Sequence, residues 1–151
     1  MAQAAETAEL GAVEHDAFDR LRRLCLALPA TTERLSHGEP TFFVRDRKVF
    51  VMCADHHHDD RVAFWCAAPP GFQAMLVEAE PQRFFVPPYV GHRGWIGVYL
   101  DVEVDWDEVA TIVLGAYRVT APRRLVAELD ARYPPPQPSP ARTEGRKGRR
   151  G

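Results

Sequence analysis

Between Thr32 and Cys66 the chain reads as four strands in succession, and no connection between them is longer than Asp55–Asp60. Parallel neighbours need a crossover of about a dozen residues or more, so linkers this short leave antiparallel pairing as the solution. The expected strands are Thr32–Ser36, Thr41–Val44, Lys48–Ala54 and Arg61–Cys66. In Lys48–Ala54 the residues Val49, Val51 and Cys53 alternate with Phe50 and Met52, so both faces are apolar and the strand belongs at the centre of a sheet. A register centred on the Asp55–Asp60 loop sets Val51 opposite Phe64, Phe50 opposite Trp65 and Cys53 opposite Val62.

The remaining elements are helical apart from one strand. His15–Leu28 places Phe18, Leu21, Leu24, Cys25 and Leu28 on one face and stops at Pro29, which lacks the N–H to continue the ladder. Pro69 and Pro70 suit a first turn, with Phe72, Met75, Leu76 and Ala79 as the apolar stripe of a short second helix. Phe84–Arg93 reads as irregular, held by Pro87 and Pro88, and Trp95–Asp101 as the last strand. Asp105 then caps a third helix, with Glu108 positioned to reach back and Val109, Ile112, Val113, Ala116 and Tyr117 facing inward. A fourth helix follows Pro122, with Leu125, Val126 and Leu129 inward. The expected fold is α+β: an antiparallel sheet of about five strands with helices on one face, in the order α-β-β-β-β-α-β-α-α.

A chain of 151 residues with 46% hydrophobic content is long enough for one domain with its own core. The expected organisation is a loose N-terminus over 1–14, a folded domain over 15–133, and a disordered tail over 134–151 that is Pro-rich and then basic. That tail carries five of the basic residues between Arg142 and Arg150 against Glu144 alone, so the rest of the chain is more acidic than the overall net charge of −2 suggests. An acidic body is not the footprint of a compact duplex-binding domain, although the tail can contact phosphate. Three cysteines, Cys25, Cys53 and Cys66, without CxxC spacing argue against a disulfide framework or a zinc ribbon. Neither a signal peptide nor a membrane-spanning run is visible, which points to a cytoplasmic protein.

Two turns carry the chemistry worth testing. His37-Gly38-Glu39-Pro40 presents a histidine from a rigid turn, and Gly91-His92-Arg93-Gly94-Trp95 brackets a cationic pair with glycines beside an indole. Such a loop can offer N–H groups, a guanidinium and a stacking surface to an anion. The pattern around it is not a dinucleotide fingerprint. The His56-His57-His58 run reads as a solvated hairpin loop, and the carboxylates from Asp101 to Glu108 as helix-capping residues. No catalytic residue set, metal site or cofactor is indicated by spacing, and the chain reads as non-enzymatic.

The segments LPATTERLSHGEPTFFVRDRKVFVM, DDRVAFWCAAPPG, RFFVPPYVGHRGWIGVYLD and DWDEVATIVLGAYRVTAPRRL resemble the MmcQ/YjbR family across nearly the whole expected domain. The resemblance implies a sheet-plus-helices fold similar to the frataxin/CyaY type, and the family's usual description as DNA-binding through hairpin wings. On that reading Arg45, Arg47, Lys48, Arg61, His92 and Arg93, with the basic tail, are the residues expected to meet DNA. A different reading is a small-molecule site built from His37, Phe42, Tyr89, His92, Arg93 and Trp95, with Phe84 and Phe85 as further aromatic lining.

Overall fold

In the computed structural model, residues 16–57 and 59–133 are described. The expected loose N-terminus and the Pro-rich basic tail lie outside these residues. Helix α1 covers residues 16–26. Strands β1 (Thr31–Ser36), β2 (Glu39–Val44), β3 (Lys48–Asp55) and β4 (Val62–Cys66) follow, then α2 (Phe72–Ala79), β5 (Phe84–Phe85), β6 (Ile96–Tyr99), α3 (Trp106–Thr120) and α4 (Arg123–Arg132). All pairings are antiparallel, in the spatial order β1-β2-β3-β4-β6-β5. The α+β reading is right, and β3 is interior as its two apolar faces require.

Among the described residues the sheet has six strands, close to the expected count of about five. The extra one, β5, falls in the stretch read as irregular: two residues offer no alternation to detect, and only pairing with β6 makes them a strand. Helix α2 packs beside it.

The β3–β4 register also differs from expectation. Val51 lies opposite Cys66, Met52 opposite Trp65, and Cys53 opposite Phe64, two residues away from the register centred on Asp55–Asp60. The His56 N–H donates to the Arg61 carbonyl at 3.0 Å, and the Asp59 carboxylate accepts from the Arg61 N–H at 2.9 Å, so the loop closes one residue further along than a symmetric turn would. A shift of two keeps every side chain on its face. The three thiols stay free and buried.

Alternation then sorts the sheet into two faces. Phe42, Val51, Cys53, Phe64, Cys66 and Val98 share one face through the β2–β3–β4–β6 registers. An irregularity opposite Phe42/Phe43 leaves Phe50 without a direct partner, and its ring meets Tyr117 of α3 edge-on at 5.8 Å. The stripe expected on α3, from Val109 to Tyr117, is buried. Leu21, Cys25, Leu28, Leu125 and Leu129 complete this core. At about 25 cal/mol per Å² of apolar surface removed from water, this layer is the main source of stability.

Two local expectations are corrected. Helix α2 starts after Gly71, whose φ of 83° only glycine adopts without strain, so the two prolines precede the helix. Its inward residues are Phe72, Gln73, Leu76 and Val77, while Met75 is 57% exposed. The helix is rotated because the Gln73 amide donates to the carbonyls of Gly91 and Trp95, at 2.9 and 2.5 Å. On α3, Asp105 caps as expected, accepting from the Asp107 and Glu108 N–H groups, but the Glu108 carboxylate accepts from the Arg83 guanidinium at 2.8 Å.

Candidate ligand-binding cleft

The second face of the sheet carries Glu39, Thr41, Phe43, Val49, Met52, Trp65 and Tyr99. Part of it is covered by neighbouring side chains. The Arg34 guanidinium lies 3.7 Å above the Phe43 ring, and Phe85 stacks on Tyr99 at 4.6 Å. The rest is the floor of an open cleft of about 980 Å³.

Val49, Met52 and Trp65 form that floor. One end is bounded by Ser36, His37 and His57 from the β1–β2 and β3–β4 turns. The other end is bounded by Lys48, by the segment Tyr89–Trp95, and by Val119 and Thr120 at the end of α3. Lys48 and Arg93 are exposed, so both cationic heads are available at that end. Among the described lining residues there is no carboxylate.

The walls are held by backbone that is awkward to form. His37 and Tyr89 adopt φ of 54° and 66°, left-handed values uncommon for residues other than glycine. Such conformations cost on the order of 1 kcal/mol or more and persist only where the surroundings impose them. At Tyr89 the surroundings are Pro87 and Pro88, the Val90 N–H donating to the Pro88 carbonyl at 2.7 Å, and a 3-10 turn over Gly91–Arg93 that ends at Gly94 with φ 84°. Gln73 clamps the same segment from α2. Trp95 is almost fully buried, and Arg93 sits 5.7 Å from its ring centroid. A cation is thus held beside an aromatic edge of the cleft.

At the opposite end, the His57 ring meets Trp65 edge-on at 5.9 Å. Behind it lies Glu39, only 9% exposed. Its Oε1 is 3.6 Å from His57 Nδ1 and accepts from the Asp55 N–H at 3.2 Å. Burial pushes the Glu39 pKa up, and the Asp55 N–H partly opposes this.

Of the residues expected for a small-molecule site, His37, Tyr89, Arg93 and Trp95 come together in this cleft. Phe42 and Phe84 are buried in the core on the helix side, His92 points to solvent outside the lining, and Phe85 packs on Tyr99. Sequence reasoning missed Trp65, Met52, His57 and Glu39. The one signal available was the acid at the head of EPTFFV, a polar side chain facing the same way as two buried residues.

The residues expected for DNA are dispersed. Arg45, Arg47 and Lys48 are exposed at the β2–β3 turn. Arg61 lies beyond the other end of β3, where it makes a two-pronged pair with Asp101 at 2.8 and 2.8 Å and covers Tyr99 at 3.7 Å. Among the described residues no group of three His, Cys, Asp or Glu side chains is arranged to hold a metal ion; His58 lies outside them. No described helix is long and apolar enough to cross a membrane.

These features define an α+β sheet protein with one face packed by helices and an open cleft on the other. The chain belongs to the YjbR family, whose model matches residues 26–119. Its fold is similar to that of Deinococcus radiodurans protein DR2400, a DUF419-domain protein of the same family known from a crystal structure. The two share 20% identity at a TM-score of 0.58, over 68% of this chain and 76% of that one. No curated protein matches the chain.

Proposed function

We propose that this protein is a binding module for a small anionic ligand with a flat apolar body, held without chemical conversion in the cleft. The observation that carries the reading is the pairing of Lys48 and Arg93 with Trp95, Trp65 and Met52 around one concavity whose described lining residues include no carboxylate. Its size is at the upper end of the range typical of small-molecule sites. The cations supply attraction and orientation; the indole edges and the methionine supply apolar contact. Calorimetric titration with naphthalene-2-carboxylate tests it. Saturable one-to-one binding, weakened about tenfold by Arg93→Ala, is the expected result, equivalent to about 1.4 kcal/mol. Absence of binding at millimolar ligand, or equal affinity in the variant, overturns it.

DNA binding is the second reading, supported by three exposed cations, Arg45, Arg47 and Lys48, at a single hairpin turn. The Arg61 guanidinium, already bonded to Asp101, adds little to it. Fluorescence anisotropy with labelled duplex across a salt series, on the full chain and on one ending at Tyr133, separates the turn from the basic tail. Binding by the shortened chain that falls steeply with salt and is lost in Arg45→Ala/Arg47→Ala supports the turn. Binding that disappears with the tail assigns it to the tail.

A further inference from the structure

Between α1 and α3 lies a groove of about 490 Å³ that shares no described lining residue with the cleft. Leu24 and Leu28 from the α1 side, with Trp106, Ala110 and Leu114 of α3, make it apolar, and the exposed Arg20 and Arg23 stand at its rim. Trp106, Ala110 and Leu114 recur at every fourth position, so they form one stripe about 12 Å long at 1.5 Å per residue. The Arg20 guanidinium lies 4.6 Å from the Trp106 ring centroid. Tyr133 lines the groove as well and is 63% exposed. It closes α4, its N–H donating to the Leu129 carbonyl at 3.0 Å, so the chain leaves α4 at the groove itself.

The next residues are Pro134-Pro135-Pro136-Gln137-Pro138-Ser139-Pro140. Pro134 has no N–H to continue a helix and biases Tyr133 away from helical backbone, in keeping with φ −132° and ψ 74° at Tyr133. Proline-rich chains favour the polyproline II conformation, lose little entropy on docking, and are received by aromatic-lined grooves. At about 3.1 Å per residue the segment spans about 22 Å, more than the stripe on α3 requires. Its prolines carry carbonyl acceptors and no N–H, while Arg20 and Arg23 offer guanidinium donors at the rim. Beyond it come Arg142, Arg146, Lys147, Arg149 and Arg150 against Glu144 alone. Glu103, Asp105 and Asp107 are exposed at the start of α3, around Trp106. Charge beyond the proline segment thus complements charge at that end of the groove.

We infer that Pro134–Pro140 docks in the α1–α3 groove of its own chain and brings the basic stretch after it against the carboxylates at the start of α3. Attachment at Tyr133 gives the segment an effective concentration in the millimolar range, so a contact of about millimolar affinity is about half occupied.

The test is nuclear magnetic resonance on the full chain carrying a nitroxide at Ser139→Cys, the three native thiols being buried. The Trp106 indole N–H and the Ala110 and Leu114 amides are expected to lose about half their intensity or more, while the Met52 amide, on a cleft-floor residue, keeps its own. Mixing isotope-labelled chain with unlabelled chain bearing the nitroxide should leave all of these signals intact. In Pro134→Gly/Pro135→Gly/Pro136→Gly, which alters no described residue, the loss of intensity should disappear, because the glycine chain has more conformations to give up on docking. Broadening that is absent, is spread evenly over the surface, or persists in the glycine variant overturns the inference. Broadening that arises in the mixed sample assigns the groove to the tail of a second copy and overturns it as well.

Discussion

The phenol of Tyr117 on α3 donates a hydrogen bond to the carbonyl of Pro29, 2.7 Å away, joining the third helix to the turn that closes the first. Both residues are buried, 88 positions apart. Removing the hydroxyl leaves a buried carbonyl without that donor, while the ring contact with Phe50 remains. Tyr117→Phe is therefore expected to lower stability by about 1–2 kcal/mol, seen as a lower urea midpoint at unchanged slope. Burial also holds the phenol's pKa above its ordinary value. The folded state thus keeps its proton where the unfolded chain loses it, so stability declines as pH rises past about 10, and the variant lacks that decline.

Arg61 and Asp101 tie the start of β4 to the end of the β6 segment. The Asp101 carboxylate accepts two guanidinium bonds and the Val62 N–H at 3.1 Å. The Arg61 bonds hold its pKa below the ordinary carboxylate value, more than burial raises it. A depressed carboxylate stabilises above its unfolded pKa and loses that contribution as pH falls through the folded one. Asp101→Asn should cost about 1 kcal/mol at neutral pH, the pair being partly solvated. Chemical denaturation repeated at successively lower pH should show the gap between wild type and variant closing only below about pH 4.

Gly97 is required by Phe85. A Cβ at Gly97 would stand 2.3 Å from Phe85 Cζ, and that ring is pinned by its stacking on Tyr99. Gly97→Ala should destabilise by about 1–3 kcal/mol. In a Phe85→Ala background the same change should be nearly neutral; a double-mutant cycle with additive effects would contradict this account.

Burial raises the pKa of all three thiols; that of Cys53 is pushed up to about 12, and those of Cys25 and Cys66 are raised mainly by loss of solvent. At pH 8 none is a thiolate in the folded chain, so an aromatic disulfide reagent should label none natively and all three in denaturant. Fast native labelling of any one would show that the core opens there.

The elements of this fold were readable in the chain because local rules decide them. Pro29 stops α1, Asp105 starts α3, and the buried stripe of α3 follows from helical spacing alone. The YjbR resemblance was equally visible in contiguous motifs. What was not readable depends on pairing at a distance. The β3–β4 register turned on bonds inside the 56–61 loop, β5 exists only by virtue of β6, and α2 is rotated by the Gln73 bonds to a loop more than a dozen residues downstream.

The candidate site divides in the same way. The amino-acid order determined that His37 and Arg93 sit in glycine-shaped turns, since backbone conformation is set by near neighbours. That these two turns bound a single concavity, with Trp65 beneath and Glu39 behind His57, was decided only by the tertiary structure. A cleft is made of side chains from strands adjacent in space rather than in sequence, and the alternation of a strand fixes which face a residue takes but not what it meets there.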